Sequence, residues 1–362
     1  MSLLAANLLG LVLTCGHQGL GTDVSYVHSG IFQSARIAPN AADPAYLSML
    51  PNVVKLFEHD QPIGIAVLID SSGLYLAPKN SINTEEEIEG HFPNGQTGHL
   101  RRLNTDSLTG LALLKSDYVP PNARPVSVIP ADPNPGTLLV VMMDSGSVRG
   151  RLDSTEKIGI AKVTGRLVPL SEVRFETPTS TLSGALVFTT SGVFVGAINA
   201  TLAKLPAGAA DFRAQFSTKL SNQAVPVGGL GGGGAAGNGQ IADSLGPADM
   251  TVAYTPGVDV LRRVVEGFLS PSHIVAYASL GVFCRNGAGG ALITQVVAES
   301  PADKIGMQAG DMIVSMGLYM VRSQIDFAKI MNKARPGEQT FIRFDRGGRV
   351  YMKGVTFGRI LD

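Results

Sequence analysis

The 362-residue chain is predicted to be mainly β, ending in a mixed α+β block, and three observations carry that expectation. Short apolar segments bounded by turn residues recur at strand spacing, and 43 glycines supply the turns between them. Charged residues make up only 16% of the chain, too few for an array of long solvated helices. No alternation of strand and helix marks a parallel sheet in the first 200 or so residues.

The clearest hairpin is Ile63-Gly-Ile-Ala-Val-Leu-Ile69, then Asp70-Ser-Ser-Gly73, then Leu74-Tyr-Leu-Ala77: two apolar strands around a glycine turn. Further strands are predicted at Gly110–Lys115, Leu138–Met143, Gly159–Val163, Ala185–Phe188 and Val193–Ile198. Such short strands at regular intervals point to a barrel or sandwich. The pattern breaks at residues 203–249, where Gly228–Gly239 is too rich in glycine to bury a core. It is no phosphate loop, because no Lys-Ser/Thr follows it and no strand feeds it.

Order is predicted to resume at Met250–Tyr254, with a helix opened by Pro256 that keeps Val260, Leu261, Val264, Val265 and Phe268 at helical spacing. The final block reads as strands at Gly281–Cys284, Ala291–Val297, Met312–Ser315, Thr340–Phe344 and Val350–Lys353. Helices are predicted at Ala302–Ile305 and Ile325–Ala334. In the second, Phe327, Ile330, Met331 and Ala334 share one face, as core packing requires.

Composition excludes several functions. Hydrophobic residues at 44% describe a globular chain, and 29 basic residues balance 29 acidic ones, so no nucleic-acid partner is expected. No His-Glu-x-x-His, Cys-x-x-Cys or compact His/Asp cluster is present, and neither a metal nor another cofactor is expected. Cys15 and Cys284 read as unpaired thiols. The apolar run Leu3–Cys15 is too short to span a bilayer, and no other segment qualifies as a membrane span. Two readings of residues 1–25 stand open: a secretory signal, which would make the protein periplasmic or secreted, or an ordinary N-terminal helix of a cytoplasmic one.

Four features of the last block run in order: Leu280-Gly-Val-Phe283, Ser300-Pro-Ala302, Gly306-Met-Gln-Ala-Gly-Asp-Met-Ile-Val314 and Arg335-Pro-Gly337. With them, residues 277–362 resemble the PDZ domain of HtrA-type serine proteases, a small, partly open barrel. That resemblance implies capture of an extended peptide or protein C-terminus by strand addition. Ser279, Leu280, Gly281, Val282 and Phe283 would supply the backbone edge and the carboxylate loop, and Ile330 or Met331 would line the side-chain pocket.

Residues 26–202, completed by 250–276, resemble the protease domain of the same family. The first hairpin, Leu111-Ala-Leu-Leu-Lys115, and Ser183-Gly-Ala-Leu-Val187 followed by Gly192–Asn199 appear in the family's order. The resemblance implies a trypsin-like double β-barrel, and by family habit a homo-oligomer, commonly a trimer. The catalytic positions depart from the family's pattern. The general base position holds Asn80, which cannot accept a proton near neutral pH. The aspartate position holds Gly110. The nucleophile position, counted without a gap from Leu186, holds Leu182, and Ser180 stands where an oxyanion-hole glycine belongs; a shift of one residue puts Ser183 there instead.

His59 is the one other histidine expected to approach the old cleft, since the hairpin register sets Ile63 across from Asn80. The sequence therefore predicts a degenerate, non-catalytic protease fold joined to a peptide-binding PDZ domain. The alternative is an active serine endopeptidase that uses Ser183 with a non-standard base.

Overall fold

The structure is a computed structural model and describes residues 39–79, 82, 88–161, 166–179, 182, 184–199, 202–205, 214–215 and 250–361. A short helix, α1 (Pro44–Met49), comes first. Asp43 caps it by accepting from the Ala45 amide, and also holds Ser147 at 2.9 Å and Arg149 at 2.6 Å.

Six strands then close a barrel: β1 (Val53–Glu58), β2 (Gln61–Asp70), β3 (Leu74–Pro78), β4 (Ile88–His91), β5 (Thr97–Asp106) and β6 (Leu111–Ser116), in the spatial order β1-β2-β3-β6-β5-β4. The predicted hairpin is β2–β3, with Val67 opposite Leu76 and Gly73 at φ +92° in the turn. Alternation of side chains across each strand produces two apolar faces. Val54, Leu56, Leu68, Tyr75, Leu100 and Leu114 point into the barrel, and Val53, Val67, Leu76, Leu111 and Leu113 point out against a second sheet.

That second sheet comprises β7 (Leu138–Met143), β8 (Gly146–Ala161), β9 (Arg166–Thr179), β10 (Leu186–Thr189), β11 (Phe194–Ala197) and β12 (Leu202–Lys204), with a later strand to complete it. A two-residue strand, β13 (Ala214–Gln215), belongs to a third sheet, and β14 (Met250–Pro256) returns to pair with β9. The sheet order is β11-β10-β7-β8-β9-β14, and the Asn199 amide bonds the Tyr254 carbonyl at 3.2 Å, drawing the two ends of the path together. The sheet is therefore barrel-like, and its inner residues merge with the outer face of the first barrel in one core.

Helix α2 (Val258–Leu269) begins two residues later than predicted: Pro256 ends β14, and Gly257 is the N-cap. Its Val260, Leu261, Val264, Val265 and Phe268 are buried, as the 3.6-residue period requires. The last block contains β15 (Ala276–Ser279), β16 (Val282–Gly287), β17 (Gly290–Val296), α3 (Pro301–Lys304), β18 (Met312–Met316), β19 (Tyr319–Met320), α4 (Gln324–Lys333), β20 (Gln339–Arg346), β21 (Arg349–Thr356) and β22 (Gly358–Leu361). Its main sheet runs β13-β16-β17-β18-β20-β21, and β15 pairs with β22. Among the described residues no helix is long and apolar enough to cross a membrane.

The block's signature residues are explained by local chemistry. Ser300 caps α3 by accepting from the Asp303 amide, and Ser323 caps α4 by accepting from the Asp326 amide. Asp311, almost fully buried, receives the Gln308 amide at 2.8 Å and a two-pronged contact from Arg346 at 2.6 and 2.8 Å. The Gly-Asp pair before β18 thus fastens a turn to the far end of β20. Between the barrels and this block, the Tyr277 hydroxyl donates to the fully buried Asp106 at 2.6 Å, and the Arg166 guanidinium lies 4.6 Å from the Tyr277 ring centroid.

Candidate functional site

Two regions carry the residues that the sequence singles out: the cleft side of the barrels and the β16 edge of the last block. Gly110 lies in the turn between β5 and β6 at φ +70°, a conformation that favours glycine. Its amide donates to the Asp106 carbonyl at 2.9 Å, and its own carbonyl accepts from the Lys79 amide at 2.7 Å. Above it sits Asn199, buried just past β11, whose Nδ2 donates to the Thr109 carbonyl at 2.9 Å. A Cβ added to Gly110 would overlap that amide group. A side chain at Gly110 would have to displace Asn199.

Leu182 is 1% exposed and belongs to the core shared by the two sheets. The turn around it is held by the Ala185 amide on the Leu182 carbonyl and the Gly184 amide on the Ile198 carbonyl, both at 2.9 Å, with Gly184 at φ +86°. A side chain packed in this way faces apolar neighbours and meets no solvent. Asn80 and Ser183 lie outside the described residues, as do Ser180, His17, His28 and most of the 203–249 stretch.

The described histidines have structural surroundings. His59 and Asp60 form the two-residue turn between β1 and β2, both with positive φ, the geometry of a tight hairpin. The His91 ring stacks on Phe57 at 4.1 Å and meets Glu89 at 2.9 Å. His273 Nδ1 contacts the Phe268 carbonyl at 2.6 Å, close behind α2. Among the described residues no three His, Cys, Asp or Glu side chains gather as a metal site. Burial raises the pKa of the Cys284 thiol far above its ordinary value, which disfavours the thiolate.

At the β16 edge, Ser279 closes β15 opposite Gly358, and Leu280 is buried in the block's core. The Leu280 carbonyl accepts from the Ala302 amide, and the Gly281 carbonyl accepts from the Val297 amide, each at 2.9 Å. In a trans peptide the next amide points the opposite way from the carbonyl. The Gly281 and Val282 amides are thereby turned away from the segments that receive those two carbonyls. Gly281 has φ +80°, and a Cβ on it would overlap Ser300. Val282 is buried, Phe283 half-buried, and both pair with β17, opposite Val296 and Gln295.

Helix α4 faces this edge with residues that the sequence reading did not single out. The Gln324 amide donates to Asn286 on β16 at 2.9 Å, and Asn332 donates to the Leu167 carbonyl at 2.9 Å. Both side chains are buried, and among the described residues the Gln324 side-chain amide and the Asn332 Oδ1 have no hydrogen-bond partner. Met331 is buried in the core beneath the helix. Ile330 lies roughly 160° around the helix from Asn332 at 100° per residue. It lines a separate cleft of about 420 Å³ with Met316, Tyr319, Met320 and Phe357. Polar residues on a helix carry no apolar period, which is why Gln324 and Asn332 gave no signal.

Comparison with known proteins places this geometry. Residues 278–352 match the family model for the PDZ domain. No sequence among the curated proteins matches the chain. Solved structures with the same fold include the serine endoprotease from Yersinia pestis, at 16% identity and a TM-score of 0.56, covering 90% of this chain and 100% of that one. The HtrA-type protease AlgW with a decapeptide aligns at 14% identity and a TM-score of 0.58 over 87% of this chain and 97% of that one. AlgW with a tripeptide gives 15% identity and a TM-score of 0.59 over 87% and 96%. The chain has the fold of HtrA-type serine proteases and carries a PDZ domain at its C-terminal end.

Proposed function

We propose that this protein is a non-proteolytic relative of the HtrA-type proteases, in which peptide capture by the PDZ domain is the main activity. The observation that carries the reading is the pair of filled positions in the barrels. Asn199 occupies the space above Gly110, and Leu182 is sealed in the core. A serine nucleophile needs a base within hydrogen-bond reach and an acid to orient that base. Asn80 offers no base and Gly110 no acid, so Ser183 would stand without either partner.

The PDZ side supports binding. The Gly281 and Val282 amides, turned away from the segments that bond the Leu280 and Gly281 carbonyls, would meet a carboxylate, and the β16 edge suits backbone pairing with an extended peptide. The AlgW structures hold a decapeptide and a tripeptide; in this chain, peptide binding by the same fold is the proposal. Assembly into trimers is proposed on the same likeness, and light scattering of the full chain would show it as a threefold mass.

A fluorophosphonate probe tests the chemistry. The expected result is no labelling of the folded protein. Labelling that is abolished by Ser183→Ala would establish an active serine endopeptidase and end the non-proteolytic reading. An array of decapeptides with free C-termini tests capture, and the full chain should retain a subset of them.

A further inference from the structure

The β16 edge is already paired within the chain. Strand β13 runs antiparallel to it, with Ala214 opposite Cys284 and Gln215 opposite Phe283. It is the outermost strand of the sheet, on the side an incoming peptide would have to use. A strand has only two hydrogen-bonding edges, and β17 takes the other edge of β16. A peptide and β13 therefore cannot pair with the same residues together.

The second sheet also touches the PDZ domain directly. Leu167, at the start of β9, is 1% exposed and packs in the PDZ core together with Ile158 of β8, and its carbonyl holds Asn332 of α4. Leu205, just beyond β12, packs against the same cluster. The chain thus leaves the second sheet at β12, touches the PDZ core at Leu205, lies along β16 at Ala214–Gln215, and returns to the sheet at β14.

We infer that strand β13 is a built-in competitor for the PDZ edge, which an external peptide must displace in order to bind. This rests on the peptide-capture reading and adds a statement about ligand class. Ala214 and Gln215 are internal to the chain and carry no terminal carboxylate, so the edge accepts internal extended segments through their backbone. Tethering at both ends keeps the competitor at high effective concentration, and a groove open for a fraction of the time binds peptide more weakly by that fraction.

The test uses the full chain, a variant with residues 206–249 replaced by a short Gly-Ser linker, and an end-capped synthetic peptide of residues 209–220 as the probe. The capped peptide should bind the linker variant, and bind the parent protein about tenfold more weakly if the edge is open about a tenth of the time. Amide exchange over Phe283–Cys284 should be faster in the variant than in the parent, a readout that needs no ligand.

Equal binding by parent and linker variant, with equal exchange at Phe283–Cys284, overturns the competitor. If the capped peptide fails on the linker variant while free C-termini from the decapeptide array bind it, the inference falls and the capture reading stands. If neither kind of peptide binds the linker variant, both fall.

Discussion

Asn199 stands in the space that a side chain at Gly110 would need. The contact joins the end of β11 in the second sheet to the β5–β6 turn of the first barrel, and the Asn199 Nδ2 is anchored there on the Thr109 carbonyl at 2.9 Å. The two halves of the fold therefore meet at Gly110 through an amide.

Placing an acid at Gly110 should be costly. Gly110→Asp forces a non-glycine residue to φ +70° and pushes its Cβ into Asn199. The expected loss is about 2–4 kcal/mol, combining backbone strain and overpacking. Adding Asn199→Gly should recover the overpacking share, because the two residues are coupled. Denaturant midpoints of the two single variants and the double variant measure that coupling; strict additivity would show that no clash exists.

Leu182→Ser should destabilise the barrels without creating an enzyme. Losing a buried leucine costs roughly 2–5 kcal/mol, and a hydroxyl left without a partner adds about 1–3 kcal/mol. The prediction is a lower melting temperature with no hydrolysis of a casein substrate. Wild-type stability in this variant would mean that Leu182 is not core.

Arg346→Ala should loosen the PDZ domain selectively. The substitution leaves the buried Asp311 carboxylate with the Gln308 amide, and removes the donor to the Gly306 carbonyl at 2.7 Å. Since Arg346 is about one-third exposed, the loss should be smaller than for a fully buried pair. Amide exchange would register it as faster opening around β18 and β20, with the first barrel unchanged.

Asp43 makes stability depend on acid. Burial by itself raises its pKa, but the bonds from Ser147 and the Ala45 amide, with Arg149 nearby, outweigh burial and leave it below the ordinary 3.8. A lowered folded-state pKa means the contribution is complete above the unfolded value near 3.8 and is lost as pH falls through the folded one. Asp43→Asn should flatten that part of the profile. Denaturant midpoints at pH 6 and in the acid limb would show a smaller drop for the variant than for the parent.

The elements that were legible in the sequence are those written in local chemistry. The β2–β3 hairpin needed only two apolar runs and Gly73, and α2 needed only a 3.6-residue period. The PDZ block was legible because its turn residues have fixed jobs: Ser300 caps α3, Asp311 ties a turn, and Gly281 accepts a left-handed backbone. Strands such as β1, β5 and β9 escaped notice because charged and polar residues interrupt their apolar alternation. The α4 face could not be assigned from spacing either, since Ile330 and Met331 satisfy the same period and only packing separates the outer cleft from the core.

By itself, then, the sequence determined a β-rich chain with a PDZ block at its end. Tertiary structure alone decided what surrounds Gly110 and what ties down helix α4. Asn199 reaches Thr109 across 90 residues, and Asn332 reaches Leu167 across 165. No short-range pattern encodes such a contact, because each partner satisfies its own strand or helix equally well without it. The same holds for Ala214–Gln215 on β16: a two-residue strand has no periodicity to detect, and only the folded sheet shows which edge it takes.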